Sequence, residues 1–314
     1  MVNFSGKGLV PDQVAQLTSF SLSVAFAAAS TVILATRLGF PISTTHALTG
    51  ALVGTGLLAS SEGVNFAQLN SAFVLPLILS PFIAIAGTVV LYPILSYSRK
   101  RMGIMRESCL CVGNEVLMAA PPGTLPGSSA AMVQISMTPT ISIGTTVSCE
   151  ERYVGKIWDV SAKSLLDTAH FLSAGLVGFA RGMNDTPKIA AILIVGSFMT
   201  PLPSIVVVSL AMAAGGIFFA RRIAETMSHQ ITSMNDGQGF TANLVTSAIV
   251  IGASNFGLPV STTHVSCGAL FGIGAVTKQA HWGAIVRILL AWVITLPVAG
   301  ALGFIGFYFL RGVL

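Results

Sequence analysis

A chain of 314 residues that is 53% hydrophobic and only 9% charged falls far below the roughly 25% charged residues of an ordinary soluble domain. Its mean hydropathy of +0.82, and uncharged stretches such as 13–36, exclude a soluble globule, because about 20 apolar helical residues cross some 30 Å of hydrocarbon. The net charge of +5 gives no reason to expect a nucleic-acid partner; it reads as Lys and Arg biased toward cytoplasmic loops of a polytopic, all-α membrane protein.

Taken in order, residues 1–11 form a polar entry loop without the basic start and short apolar core of a secretory signal. Residues 13–38 are a first span. Gly39-Phe40-Pro41 then interrupts the helix, since proline removes a backbone donor and disfavours helix in the residue before it. Ser43 or Thr44 is placed to cap a new helix running to about residue 59. A polar loop at 60–68 leads to a span at 69–97, and Arg99, Lys100, Arg101 and Arg106 put that end in the cytoplasm.

Residues 109–160 are mixed in composition. Strand-like runs at 131–136 and 141–148, with a Pro/Gly/Ser stretch at 121–129, predict a small extramembrane insert containing β-strands. Cys109, Cys111, Cys149 and Cys267 form no recognisable framework, and a C-x-C with one distant cysteine is a weak zinc signal. Apolar sequence returns at 165–180, where Asp167 and His170 are spaced to pair on one helical face. A polar break is expected at 181–188, followed by 189–199 and by a span at 204–220. That span ends at Arg221-Arg222, with Glu225 one turn on to pair with Arg221. Residues 241–255, a helix to about 276 and a last span at 282–310 complete the chain, with Trp282, Trp292 and Tyr308 as interfacial or packing aromatics.

Two polar sentences repeat within this apolar text: Gly39-Phe40-Pro41-Ile42-Ser43-Thr44-Thr45-His46 and Gly257-Leu258-Pro259-Val260-Ser261-Thr262-Thr263-His264. Position 43 maps to 261 and position 56 to 274, a constant offset of 218 residues that marks an internal duplication. In hydrocarbon every backbone polar group needs a partner, so a broken helix is tolerated only where protein, water or ligand supplies one. A helix starting at Ser43 or Ser261 offers free N–H groups and a positive dipole end to an anion. The hydroxyls of Ser43, Thr44, Thr45, Ser261, Thr262 and Thr263 add neutral donors suited to an oxyanion that must be both bound and released. Paired broken segments in corresponding halves point to the site of a secondary transporter. A single Ser-Thr-Thr in a membrane helix more often bonds back to its own turn or glues helices together. His46 and His264 are read as packing residues or as auxiliary ligands.

Asn184 and Asp185 form a second constellation. An ionised carboxylate within a membrane needs a cation or donors, and the hard oxygens of Asn and Asp suit sodium, with a proton as the other occupant. A surface turn is the competing reading of Asn184-Asp185-Thr186-Pro187.

The runs Ala220-Arg221-Arg222-Ile223-Ala224-Glu225-Thr226 and Ala253-Ser254-Asn255-Phe256-Gly257-Leu258-Pro259-Val260-Ser261-Thr262-Thr263-His264, with the first copy from Ala35, resemble the inorganic phosphate transporter (PiT) family. The resemblance covers most of the membrane part and leaves the insert unexplained. It implies a cation-coupled symporter of two inverted repeats, usually dimeric, and not an enzyme. It further implies phosphate at Ser43, Thr44, Thr45, Ser261, Thr262, Thr263 and Asn184, with cation coupling, sodium among the candidates, at Asn184 and Asp185. Two departures stand out. Lys188 replaces the later Asn of the family's Asn-Asp motif, and a fixed charge there could stand in for a cation or touch the anion. The first-repeat copy of that motif would lie upstream of Met1. The expected organisation is therefore residues 1–98 as a first repeat incomplete at its N-terminus, 99–160 as a cytoplasmic insert and 161–314 as a second repeat. The substrate and surroundings so implied are inorganic phosphate and a lipid bilayer, in the cell (inner) membrane, with no other cofactor. The rivals are a sulfate permease on the same scaffold, an inactive truncated fragment and an intramembrane hydrolase; the last lacks a nucleophile elbow or metal motif.

Overall fold

The computed structural model describes residues 4, 6, 8–105, 108–119, 132–145 and 153–312. Among them are eight long helices: α1 (Thr18–Leu38), α2 (Thr44–Ala59), α3 (Leu75–Arg101), α4 (Ala162–Val195), α5 (Pro201–Phe219), α6 (Asp236–Asn255), α7 (Thr262–Thr277) and α8 (Trp282–Leu310). A helical turn at Phe66–Leu69 and a π-helical turn at Asn70–Val74 run directly into α3. Thr18–Leu38, Phe66–Arg101, Pro201–Phe219 and Trp282–Leu310 are long and apolar enough to cross a membrane. The 16-residue helices α2 and α7 rise only about 24 Å at 1.5 Å per residue, which is short of a full crossing.

The chain divides into two units, residues 1–92 with 173–314, and residues 93–172. In the first unit the duplication is visible in backbone geometry. Gly39 and Gly257 end α1 and α6 at φ 77° and 67°, a left-handed conformation open mainly to glycine. At both ends the same pair of bonds closes the helix: Gly39 N to Thr36 O with Phe40 N to Ala35 O, and Gly257 N to Ser254 O with Leu258 N to Ala253 O. Proline follows, and Ser43 and Ser261 restart the chain as N-caps with near-equal dihedrals, φ −93° ψ 123° and φ −101° ψ 115°.

The restarted helices pack through glycine. A Cβ on Gly54 would strike the Gly300 carbonyl of α8, and one on Gly272 would strike the Thr88 hydroxyl of α3. Each half thus seats its short helix on the long helix of the other half. The packed apolar centre around α2 includes Phe20, Val24, Leu48 and Leu52; that around α7 includes Val265, Ile273, Ile288 and Trp292.

In the second unit three antiparallel strands, β1 (Ser108–Ala119), β2 (Met132–Thr145) and β3 (Tyr153–Ser161), form a sheet in the order β2-β1-β3. The sequence suggests two short strand-like runs where β2 is continuous. Pro139 lies within it, opposite Asn114 beside an irregularity in the pairing; an edge strand tolerates proline because one side of its ladder is unpaired. The 121–129 stretch, Arg106 and Cys149 lie outside the described residues.

The predicted break at 181–188 is corrected. α4 is one helix of 34 residues with Pro187 inside it. Proline costs one backbone bond, and membrane helices accept that loss where neighbours re-satisfy the freed group. Continuity sets Arg181, Asp185 and Lys188 on one face at helical spacing. A smaller correction concerns α6, which begins before the expected residue 241. A reciprocal capping box, Gln238 N to Asn235 Oδ1 at 3.1 Å and Asn235 N to Gln238 Oε1 at 2.8 Å, fixes its start. Trp282 and Tyr308 are exposed, while Trp292 is buried and packs within the core.

Candidate functional site

Each capping serine accepts the third N–H of its helix, His46 N to Ser43 Oγ at 3.1 Å and His264 N to Ser261 Oγ at 3.2 Å. That leaves the N–H groups of the first two residues of each helix, Thr44 and Thr45 and likewise Thr262 and Thr263, for other acceptors. The two helix starts meet. Thr45 Oγ1 donates to the Val260 carbonyl at 3.3 Å, across 215 residues of sequence. The rings of His46 and His264 stand edge to face with centroids 4.3 Å apart.

α4 enters this junction with three polar side chains, all at most 5% exposed. Asn184 Nδ2 lies within 3.1 Å of Asp185 Oδ1, the Val260 carbonyl and Thr262 Oγ1, so two hydrogens are shared among three acceptors. Its Oδ1 accepts from Ser254 Oγ at 3.4 Å. Lys188 Nζ donates to Thr45 Oγ1 at 3.0 Å and to the Val260 carbonyl at 2.7 Å. It stands 3.6 Å from Asp185 Oδ1 and 5.5 Å from the centre of the Phe4 ring. Asp185 Oδ2 faces Arg181 Nε at 3.6 Å.

The structure thus brings Thr45, Thr262, Asn184, Asp185 and Lys188 into one hydrogen-bonded cluster. Ser43 and Ser261 sit beside it as caps. Thr44 and Thr263, in the first turns, are half-buried. His264 stacks on Trp292 with centroids 3.8 Å apart. Among the described residues neither of its ring nitrogens has a hydrogen-bond partner, nor does His46 Nδ1. The expected Arg221–Glu225 pair is present at 3.0 Å on an exposed helix face. Cys109 and Cys267 are buried thiols.

Four participants are not marked by the sequence as belonging to the site. Arg181 is obscured by the break expected at its position; a continuous helix places it one turn before Asp185. Ser254 lies in the run that precedes the second Gly-x-Pro, with no spacing of its own to mark it. Trp292 Nε1 donates to the Pro41 carbonyl at 2.9 Å and so satisfies a group freed by the first break. The Val260 carbonyl leaves no side-chain signal at all.

A cavity of 410 Å³ opens next to the first break, lined by Gly39, Phe40, Arg222, Glu225, Gln230 and Arg287 among others. Arg222 Nη1 is anchored on the Arg37 carbonyl at 2.6 Å, and Thr226 Oγ1 donates to the Gly39 carbonyl at 3.0 Å. The carboxylate of Glu225 is already engaged by Arg221.

Membrane-length helices, paired breaks and a polar junction between two repeats define an integral, multi-pass membrane protein. The sequence matches the phosphate transporter family over residues 2–303, and the chain belongs to that family. A Mycobacterium tuberculosis protein provisionally named a phosphate permease is 38% identical over 154 residues, 46% of this chain but only 28% of that longer protein. A relative from Thermococcus kodakarensis, named in the same way, is 26% identical over 320 residues, covering 93% of this chain and 79% of its own. A solved structure described as the sodium-dependent phosphate transporter shares the fold, with a TM-score of 0.73 at 20% identity over 99% of this chain and 85% of that one.

Proposed function

We propose that this chain moves inorganic phosphate across the membrane by symport with a cation, either sodium or a proton. The observation that carries the reading is the meeting of two capped helix starts with Asn184, Asp185 and Lys188 in one buried cluster. Thr45, Thr262 and Asn184, with Ser43, Thr44, Ser261 and Thr263 around them, supply hydroxyl, amide and backbone donors for the anion's oxygens. Their present bonds to one another and to the Val260 carbonyl would be exchanged for bonds to the ligand.

Asp185 separates phosphate from sulfate. Hydrogen phosphate carries an O–H that needs an acceptor, and a carboxylate provides one; sulfate only accepts. His46 and His264 are auxiliary on this reading, and Asp185 with Asn184 serves coupling. The family name supports phosphate as cargo, and the relative described as sodium-dependent keeps sodium among the coupling ions. A homodimer in the bilayer is the assembly we expect.

The test is uptake of labelled phosphate by the purified chain in proteoliposomes, with sulfate in excess as competitor. Phosphate should accumulate and sulfate should compete weakly. Strong inhibition by sulfate would transfer the site to a sulfate permease, and no uptake of either anion would sink the transport reading.

A further inference from the structure

A coupling cation held beside Asp185 would need oxygen ligands, and the oxygens around that carboxylate are already engaged. The Thr45 hydroxyl and the Val260 carbonyl both accept from Lys188 Nζ, at 3.0 and 2.7 Å. The Val260 carbonyl also takes Asn184 Nδ2 at 3.1 Å and Thr45 Oγ1 at 3.3 Å. Three donors thus crowd an oxygen with two lone pairs.

Charge gives the same result. Asp185 Oδ1 faces Lys188 and Oδ2 faces Arg181, each at 3.6 Å, so one carboxylate already answers two cations. The Arg181 side chain is half exposed, whereas that of Lys188 is 6% exposed and enclosed by the protein. The Phe4 ring, 5.5 Å from Nζ, gives the ammonium a further favourable face. An alkali ion placed among these atoms would meet saturated acceptors and two like charges.

We propose that the Lys188 ammonium is a resident cation, occupying the oxygen set that an alkali coupling ion would otherwise use, so that phosphate movement by this chain does not depend on sodium. This rests on the phosphate reading of the same cluster. The fixed charge also lies between the two helix starts, where it complements an incoming oxyanion.

The experiment compares the wild type, Lys188→Asn and Lys188→Arg in sodium chloride and in choline chloride at equal ionic strength. It reads thermal stability in detergent without phosphate, and phosphate uptake after reconstitution. Wild type and Lys188→Arg should melt within about 1 °C in the two salts, and their uptake should change less than roughly 2-fold. Lys188→Asn should gain a sodium-specific stabilisation of roughly 3–6 °C, as a ligand well above its dissociation constant produces. A wild type that sodium stabilises by as much overturns the proposal, as does a tenfold loss of wild-type uptake in choline. A folded Lys188→Asn that sodium leaves unchanged also overturns it. If that variant does not fold, the wild-type and Lys188→Arg results decide alone. Absence of phosphate uptake in both salts would count against the phosphate reading, while the melting comparison would still report on Lys188.

Discussion

Thr45 holds two roles at once. Its hydroxyl oxygen accepts from the Lys188 ammonium and its proton goes to the Val260 carbonyl, so it links the first repeat to both partners in the second. Replacing it with valine keeps the shape and removes both bonds. Lys188 would keep only the carbonyl and the more distant carboxylate, at a position only 5% exposed. The expected loss of stability for Thr45→Val is about 1–3 kcal/mol, read by thermal or denaturant unfolding in detergent. Thr45→Ser, which restores the hydroxyl, should recover most of it. Equal loss in both variants would show that the methyl packing matters, not the hydrogen bonds.

At the scale of elements, the short helices owe their positions to close backbone approach. A Cβ on Gly54 would meet the Gly300 carbonyl, and one on Gly272 would meet Thr88 and stand 2.8 Å from the Ile85 carbonyl. Backbone cannot swing aside as a side chain does. Gly54→Ala and Gly272→Ala should therefore each cost about 1–3 kcal/mol, the range for overpacking. They should also lower transport by displacing the Ser-Thr-Thr starts. A methyl added at Gly252 in α6 would find nothing within 4 Å, so Gly252→Ala should be neutral or slightly stabilising. Similar melting temperatures for all three alanine variants would mean that the glycine seats are not what fixes α2 and α7.

Across the molecule the two repeats are not equivalent in charge. The cavity beside the first break carries Arg222 and Arg287, whereas 218 residues earlier the corresponding positions are Phe4 and Leu69. Among the described residues Arg287 makes no salt bridge. A positive mouth raises the local concentration of an anion and is screened by salt over a Debye length of about 10 Å at 0.1 M. Arg287→Gln should raise the half-saturating phosphate concentration roughly 2–5-fold at low ionic strength while leaving the maximal rate nearly unchanged. The difference should shrink as salt increases. A salt-independent effect, or one on the maximal rate alone, would place Arg287 outside the anion's route.

The sequence by itself determined the membrane class, the positions of most spans, the 218-residue repeat and the residue types at its polar junction. These follow from hydropathy, from covalent spacing and from the local chemistry of Gly, Pro and Ser, which act within a few residues of themselves. The tertiary structure decided what spacing does not encode. α4 runs unbroken through Asn184-Asp185-Thr186-Pro187 because packed partners, not local propensity, settle whether a polar stretch stays helical. Three strands pair across the insert in an order that no single strand announces. Lys188, one helical turn after Asn184, reaches a carbonyl 72 residues away and a hydroxyl 143 residues away. A carbonyl oxygen looks the same in every residue of a sequence, and only folding gives it a direction.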